Sequence, residues 1–162
     1  FGKGASIIRT IPNTPAAVGR GITAMASNGN VTDAQTRLAK TLLASIGDVV
    51  SVSDENQIDA VTGLSGSGPA YVFYMTECLA KAGQAQGLDS ELAMQLARAT
   101  VEGAGELMRA TGTEASVLRE NVTSPNGTTH AGLEVLMGEN GLETLMEKTV
   151  DAATRRSKEL AS

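Results

Sequence analysis

Residues 122–132 read Val-Thr-Ser-Pro-Asn-Gly-Thr-Thr-His-Ala-Gly, a tight turn set against a helix start, which is the outline of a carboxylate pocket. Pro125 presets φ, and Asn126-Gly127 tolerates the left-handed conformation of a sharp reversal. The first-turn amides of the following helix have no internal partners, so an anion is their natural guest. Ser124, Thr128 and Thr129 add three hydroxyls, each able to donate or accept. The same residues also suit an ordinary capped loop between helices, and His130 reads either as a general acid or as a capping side chain. A second stretch, residues 63–69, reads Gly-Leu-Ser-Gly-Ser-Gly-Pro. There Ser67 is expected to cap a long helix with Pro69 in its first turn. The same glycine-rich entry would let an anion or cofactor atom approach the backbone.

Several other chemistries find no support. The sequence holds one histidine, His130, and one cysteine, Cys78, so no cluster with metal-ligand spacing exists, and a carboxylate-only Mg²⁺ site is unsignalled. Gly63-Leu64-Ser65-Gly66-Ser67 approaches the nucleophile elbow, but its fifth position is serine and it follows a helix where the elbow follows a strand. There is no Walker loop, and no Gly-x-Gly-x-x-Gly follows a strand.

The elements that must position these residues divide near residue 53. Ahead of it the chain reads as α/β. Short strands are expected at residues 6–9 and 21–26, separated by Pro12-Asn13-Thr14-Pro15, which continues neither a ladder nor a helix. Thr32 with Gln35 forms a capping box, and Leu38, Leu42, Leu43 and Ile46 mark one helical face ending at Gly47. Val49, Val50 and Val52 give a third strand. Beyond residue 53 every segment carries helical spacing. A short helix over residues 54–62 precedes the glycine-rich stretch, and a helix to about Gln86 follows it. That helix is apolar almost all round, as for a central element surrounded by others. Next comes a helix over residues 90–110 with a small-residue face at Ala93, Ala97, Ala99, Gly103, Ala104 and Gly105, which wants a close partner. The last two helices run to about Met137 and from an Asn140/Glu143 cap onward.

The 162 residues suit one main domain. Formal charge is −5 and no basic run exceeds Arg155-Arg156, so the footprint of a nucleic-acid binder is absent. Aromatics make up 2%, too few for base stacking. Cys78 is expected at a buried helix position, where a free thiol is inert, and this suits a reducing compartment. No apolar run approaches the roughly 20 residues of a membrane span, and the first residues do not read as a charged-then-apolar leader, so a soluble, cytoplasmic chain is expected. Phe1 falls in mid-strand without a Met, which suggests a piece of something longer.

Four motifs resemble, in order, the C-terminal part of the pyrroline-5-carboxylate reductase family. They are Arg9-Thr10-Ile11-Pro12-Asn13-Thr14-Pro15, residues 59–71 (Asp-Ala-Val-Thr-Gly-Leu-Ser-Gly-Ser-Gly-Pro-Ala-Tyr), residues 122–129, and Arg155-Arg156-Ser157-Lys158-Glu159-Leu160. The resemblance implies an NAD(P)H-dependent oxidoreductase that reduces 1-pyrroline-5-carboxylate to L-proline, the last step of proline biosynthesis. It implies a mainly α fold: residues 1–53 as the last strands and helix of a Rossmann-type domain without its phosphate-binding beginning, and residues 54–162 as a helical dimerisation and substrate-binding domain with interleaved subunits. In the family such dimers commonly assemble further into a decamer, and the sequence leaves dimer against decamer open. By the same carry-over Val122, Ser124, Gly127, Thr128 and Thr129 bind the substrate, with Thr129 as the catalytic donor to the ring nitrogen. Asn13, Ser65, Gly66 and Ser67 would face NADPH or NADH, and the isolated piece would be inactive. Asn126 departs from the family's usual Pro-Gly-Gly, and Gly112-Thr113-Glu114-Ala115 replaces its usual Gly-Glu-His-Pro. Two other readings are a helical oligomerisation module without activity, and a related dehydrogenase acting on another small acid.

Overall fold

The computed structural model describes residue 2 and residues 4–161. The chain is mainly helical, and its described strands form a three-stranded mixed sheet of order β1-β2-β3: β1 (Ile8–Ile11), β2 (Gly21–Ser27) and β3 (Gly47–Ser51). β1 runs antiparallel to β2 with Ile8 opposite Ser27, and β3 runs parallel to it with Gly21 opposite Gly47. The central strand buries Thr23, Ala24, Met25 and Ala26 in succession, so both of its faces are covered.

The first strand starts two residues later than its composition suggests. Asn28 explains this, because its Oδ1 accepts from the Ile7 amide at 3.1 Å and its Nδ2 donates to the Ala5 carbonyl at 2.9 Å, taking groups a ladder would use. Pro12, which has no N–H, then ends the strand. Between β2 and β3 lies helix α1 (Asp33–Leu43), whose Thr32/Gln35 capping box forms in both directions. Val52 falls just outside β3 but still donates its amide to the Met25 carbonyl at 2.9 Å.

The segment expected as one short helix and a loop is instead a continuous helical path of changing pitch. A 3₁₀ turn (Glu55–Gln57), capped by Asp54, leads into α2 (Ile58–Val61) and then a π turn (Thr62–Gly66). The Ser67 amide reaches back five residues to the Thr62 carbonyl at 2.9 Å. Ser67 is itself helical (φ −85°, ψ −20°), so it is not the extended N-cap expected of it. The path continues directly into α3 (Gly68–Ala85).

A turn in which the Leu88 amide donates to the Gly83 carbonyl at 3.2 Å joins α3 to α4 (Ser90–Thr111), which Asp89 caps by accepting from the Glu91 and Leu92 amides, both at 3.0 Å. Ala93 and Ala97 are buried, and a Cβ at Gly83 would sit 3.5 Å from that of Ala93. Helix α5 (Ala115–Asn121) has no clear sequence signal, since Glu114 at its N-cap makes no side-chain cap bond. Helices α6 (Thr128–Leu136) and α7 (Leu142–Ala161) follow.

The chain divides into two compact units. One takes residues up to Pro69 together with those from Lys148 onward, and the other is Ala70–Glu147. In the first unit α7 lies directly on the π turn. A Cβ at Gly63 would collide with Thr154 Oγ1 and lie 3.0 Å from the Val150 carbonyl oxygen, while Ser157 Oγ donates to Asp59 Oδ1 at 2.6 Å. In the second unit the expectation of a central, surrounded α3 fails within one chain. Phe73 and Tyr74 are each 63% exposed, Val72, Met75 and Leu79 are exposed, and the only fully buried side chain on the helix is Ala80. Cys78 is exposed too, contrary to its expected burial. Periodicity reports that a face is apolar, and a second polypeptide can cover it as well as the first. Among the described residues no helix is long and apolar enough to cross a membrane.

Candidate functional site

The turn before α6 is built as its residue types require. Gly127 donates its amide to the Ser124 carbonyl at 3.0 Å, closing a reversal in which Asn126 holds φ +60°. Proline at the second position and positive φ at the third are the marks of a type II turn, and asparagine is the side chain that tolerates it best after glycine. Gly127 is extended (φ −83°, ψ 176°) and serves as the N-cap of α6 without a side-chain cap. A Cβ there would collide with Ser124 Oγ, so the serine side chain lies over this glycine.

The consequence is a cluster of donors. Thr128, Thr129 and His130 occupy the first three helical positions, where amides lack intrahelical acceptors. Ser124, Thr128 and Thr129 are exposed, as is Val122. The helix dipole adds a partial positive charge at the same place. A carboxylate docked here would meet amides and hydroxyls together, with the Thr129 hydroxyl free to address a neighbouring atom of the same ligand.

His130 is half-buried and turns toward a groove of about 550 Å³ lined also by Arg119, Thr123 and Glu134. Thr123, which lacks a distinctive spacing, ties the turn to α5 by donating from Oγ1 to the Arg119 carbonyl at 2.6 Å. Replacing Asn126 tests the turn: Asn126→Ala is expected to cost about 1 kcal/mol, a Tm loss of about 2–4 °C in thermal melts, while Asn126→Gly costs nothing. Equal melting temperatures for the two variants would show that φ at this position is not constrained.

The second group of residues lies in the other unit. Asn13 is half-buried; its Oδ1 accepts from the Ile22 amide at 2.9 Å and its Nδ2 donates to the Ser65 carbonyl at 3.2 Å. Asn13 and Ser65, 52 residues apart, are therefore brought together. Ser67 lines a cavity of about 470 Å³ with Arg9, Thr62, Arg156 and Ser157. Arg9 pairs with Glu55 at 3.4 Å and Arg156 with Glu159 at 2.8 Å, so both guanidinium groups are already engaged at the surface. Arg9 and Arg156 stand within the sequence motifs, but only folding reveals that β1 and α7 share one wall. Among the described residues no three His, Cys, Asp or Glu side chains gather as metal ligands would.

A family model described as pyrroline-5-carboxylate reductase dimerisation matches residues 55–160. Pyrroline-5-carboxylate reductase of Synechocystis sp. is 48% identical over 96% of this chain and 57% of its own length, and that of Pseudomonas aeruginosa is 41% identical over 99% and 59%. The structure of a pyrroline-5-carboxylate reductase from Coxiella burnetii superposes with TM-score 0.92 at 42% identity, covering 98% of this chain and 58% of that one. A pyrroline carboxylate reductase from Plasmodium falciparum with NADP bound gives 0.83 at 33%, covering 99% and 61%. The chain thus spans less than two thirds of the length of each of these relatives.

Proposed function

Because the chain belongs to the pyrroline-5-carboxylate reductase family, we propose that it is the dimerisation and substrate-binding part of an enzyme that reduces 1-pyrroline-5-carboxylate to L-proline. The observation that carries this reading is the type II turn at residues 124–127 feeding the uncapped start of α6. A small cyclic imino acid offers two groups in rigid relation, a carboxylate and a ring nitrogen, and the turn offers donors for both.

In this reading the amides at Thr128 and Thr129 and the Ser124 hydroxyl hold the carboxylate, while Gly127, whose amide closes the turn on the Ser124 carbonyl, lets it approach the backbone. The Thr129 hydroxyl donates to the ring nitrogen. That bond matters because an imine carbon accepts hydride more readily as its nitrogen gains proton character, and a donor there stabilises the developing amine. Val122 contributes an apolar wall. The reduced nicotinamide supplies the hydride. This chain has no glycine-rich phosphate loop after a strand, so its residues fit only the reacting end of NADPH or NADH, at Ser65, Gly66 and Ser67. We assign the boundary between the cofactor-domain remnant and the helical domain to residue 53, and the enzyme to the cytoplasm, where a lone thiol stays reduced.

The second part of the proposal is a homodimer with interleaved subunits. The exposed apolar face of α3 and the exposed Ala99, Gly103 and Gly105 of α4 support it, since beyond the local backbone of α4 itself nothing lies within 4 Å of a Cβ placed on either glycine. The family resemblance extends the assembly to a decamer. Sedimentation of this chain should give a dimer or a larger assembly, and Phe73→Glu should weaken dimerisation by about two orders of magnitude or more. A wild-type chain that sediments as a monomer would overturn the dimer.

The function itself is tested by supplying 1-pyrroline-5-carboxylate to the protein at full family length and following NADPH and NADH oxidation separately. Oxidation dependent on the imine is the expected result, with none from the 162-residue chain alone. A folded full-length protein that reduces another small acid in its place would overturn the assignment.

A further inference from the structure

We propose that Asn13 is a positioning residue, whose carboxamide fastens the π turn at Ser65 to the sheet and so sets the backbone that the nicotinamide cofactor meets. The proposal deepens the reductase reading and rests on it. A π turn is a rare and poorly bonded geometry that persists when surrounding structure supports it, and it recurs at functional sites. Here the support comes from two sides. From one side α7 presses on Gly63, and Ser157 bonds Asp59. From the other, the turn rests on the end of β1, where a Cβ at Gly66 would sit 3.7 Å from Ile11 Cγ2, and Asn13 Nδ2 grips the Ser65 carbonyl.

The Asn13 contact is a side-chain hydrogen bond that lands inside the turn. Its geometry is fixed by its own surroundings: Oδ1 takes the Ile22 amide at the start of β2, and the Asn13 carbonyl takes the Ala16 amide at 3.1 Å. Pro12 and Pro15 on either side restrict the backbone further. A carboxamide has one oxygen and two N–H groups, and here the oxygen and one N–H already serve the protein's own backbone. Its role is therefore to place Ser65, Gly66 and Ser67 rather than to be a primary ligand.

Asn13→Asp separates the two bonds, because a carboxylate still accepts from Ile22 but cannot donate to Ser65. In hydrogen exchange on the chain, the Ser67 amide should exchange about three- to tenfold faster while Ile22 stays protected, the range a neutral hydrogen bond spans. In the full-length enzyme the dissociation constant of NADPH should rise by a similar factor with little change in the KM of the imine. A purely structural role would lower the melting temperature without dividing the two ligands in this way. Unchanged Ser67 exchange, or faster exchange with unchanged cofactor affinity, would overturn the proposal. A full-length wild type that binds NADPH but reduces no imine would overturn the reductase reading instead, and the exchange and binding comparison would still decide the role of Asn13.

Discussion

Thr129→Ala in the full-length enzyme is expected to lower kcat by about 10²-fold or more while moving the KM for the imine less than about threefold. The reasoning starts from position. Thr129 is the second residue of α6, and its hydroxyl is exposed beside amides that have no intrahelical acceptor. Those amides and Ser124 remain in the variant, so the carboxylate keeps its anchor and ground-state binding changes little. What disappears is a donor to the ring nitrogen, whose demand for a proton grows only as hydride arrives. A loss confined to the transition state appears in kcat. Thr129→Ser retains the hydroxyl and should recover most of the rate, and steady-state kinetics of the three proteins decides the matter. A rise in KM with kcat preserved would make Thr129 a binding residue and remove it from the proton path.

The largest loss of stability is expected at Gly47→Ala. Gly47 stands opposite Gly21 in the parallel pairing of β2 and β3, with φ +142°, a region that L side chains rarely adopt. An added Cβ would collide with the Gly21 carbonyl oxygen and lie 2.6 Å from Gly21 N and C, and backbone on a central strand cannot step aside. Strain and overpacking together come to about 3–5 kcal/mol, a large share of the roughly 5–15 kcal/mol that holds a typical domain. The melting temperature should fall by about 10 °C or more. Gly19→Ala is the control, since Gly19 also has positive φ (+68°) but open space around it, and only the backbone term of about 1 kcal/mol remains. Similar melting temperatures for the two variants would show that the two strands part more easily than their spacing implies.

The local features of this chain were readable because their causes are local. The Thr32/Gln35 capping box, the turn at residues 124–127 and the start of α6 depend on neighbours within four residues. Position within the fold was less accessible. Asn28 delays β1 by bonding Ala5 and Ile7, and nothing in its spacing announces that. Glycines at 63 and 66 suggest a loop, yet they permit a π turn by letting α7 and β1 come close. The apolar wrap of α3 and the burial expected of Cys78 were misplaced for one reason, because hydrophobic pattern does not say which polypeptide supplies the cover. Among candidate site residues, Val122, Ser124, Gly127, Thr128 and Thr129 share one segment and could be grouped by eye. The meeting of Asn13 with Ser65 required the folded chain.

The latch between Asp59 and Ser157 joins residues 98 positions apart, and this bears on synthesis. At roughly 5–20 residues per second, about 5–20 seconds separate the emergence of one partner from that of the other. Ser65 meets Asn13 long before then, so the sheet side of the glycine-rich turn can set while the chain is still growing. The last helix is made after all the intervening helices, so its contacts with Asp59 and Gly63 are the last of the first unit to become available. A ribosome stalled ahead of Ser157 would therefore carry a chain whose first unit lacks the bond that ties Asp59 to the last helix.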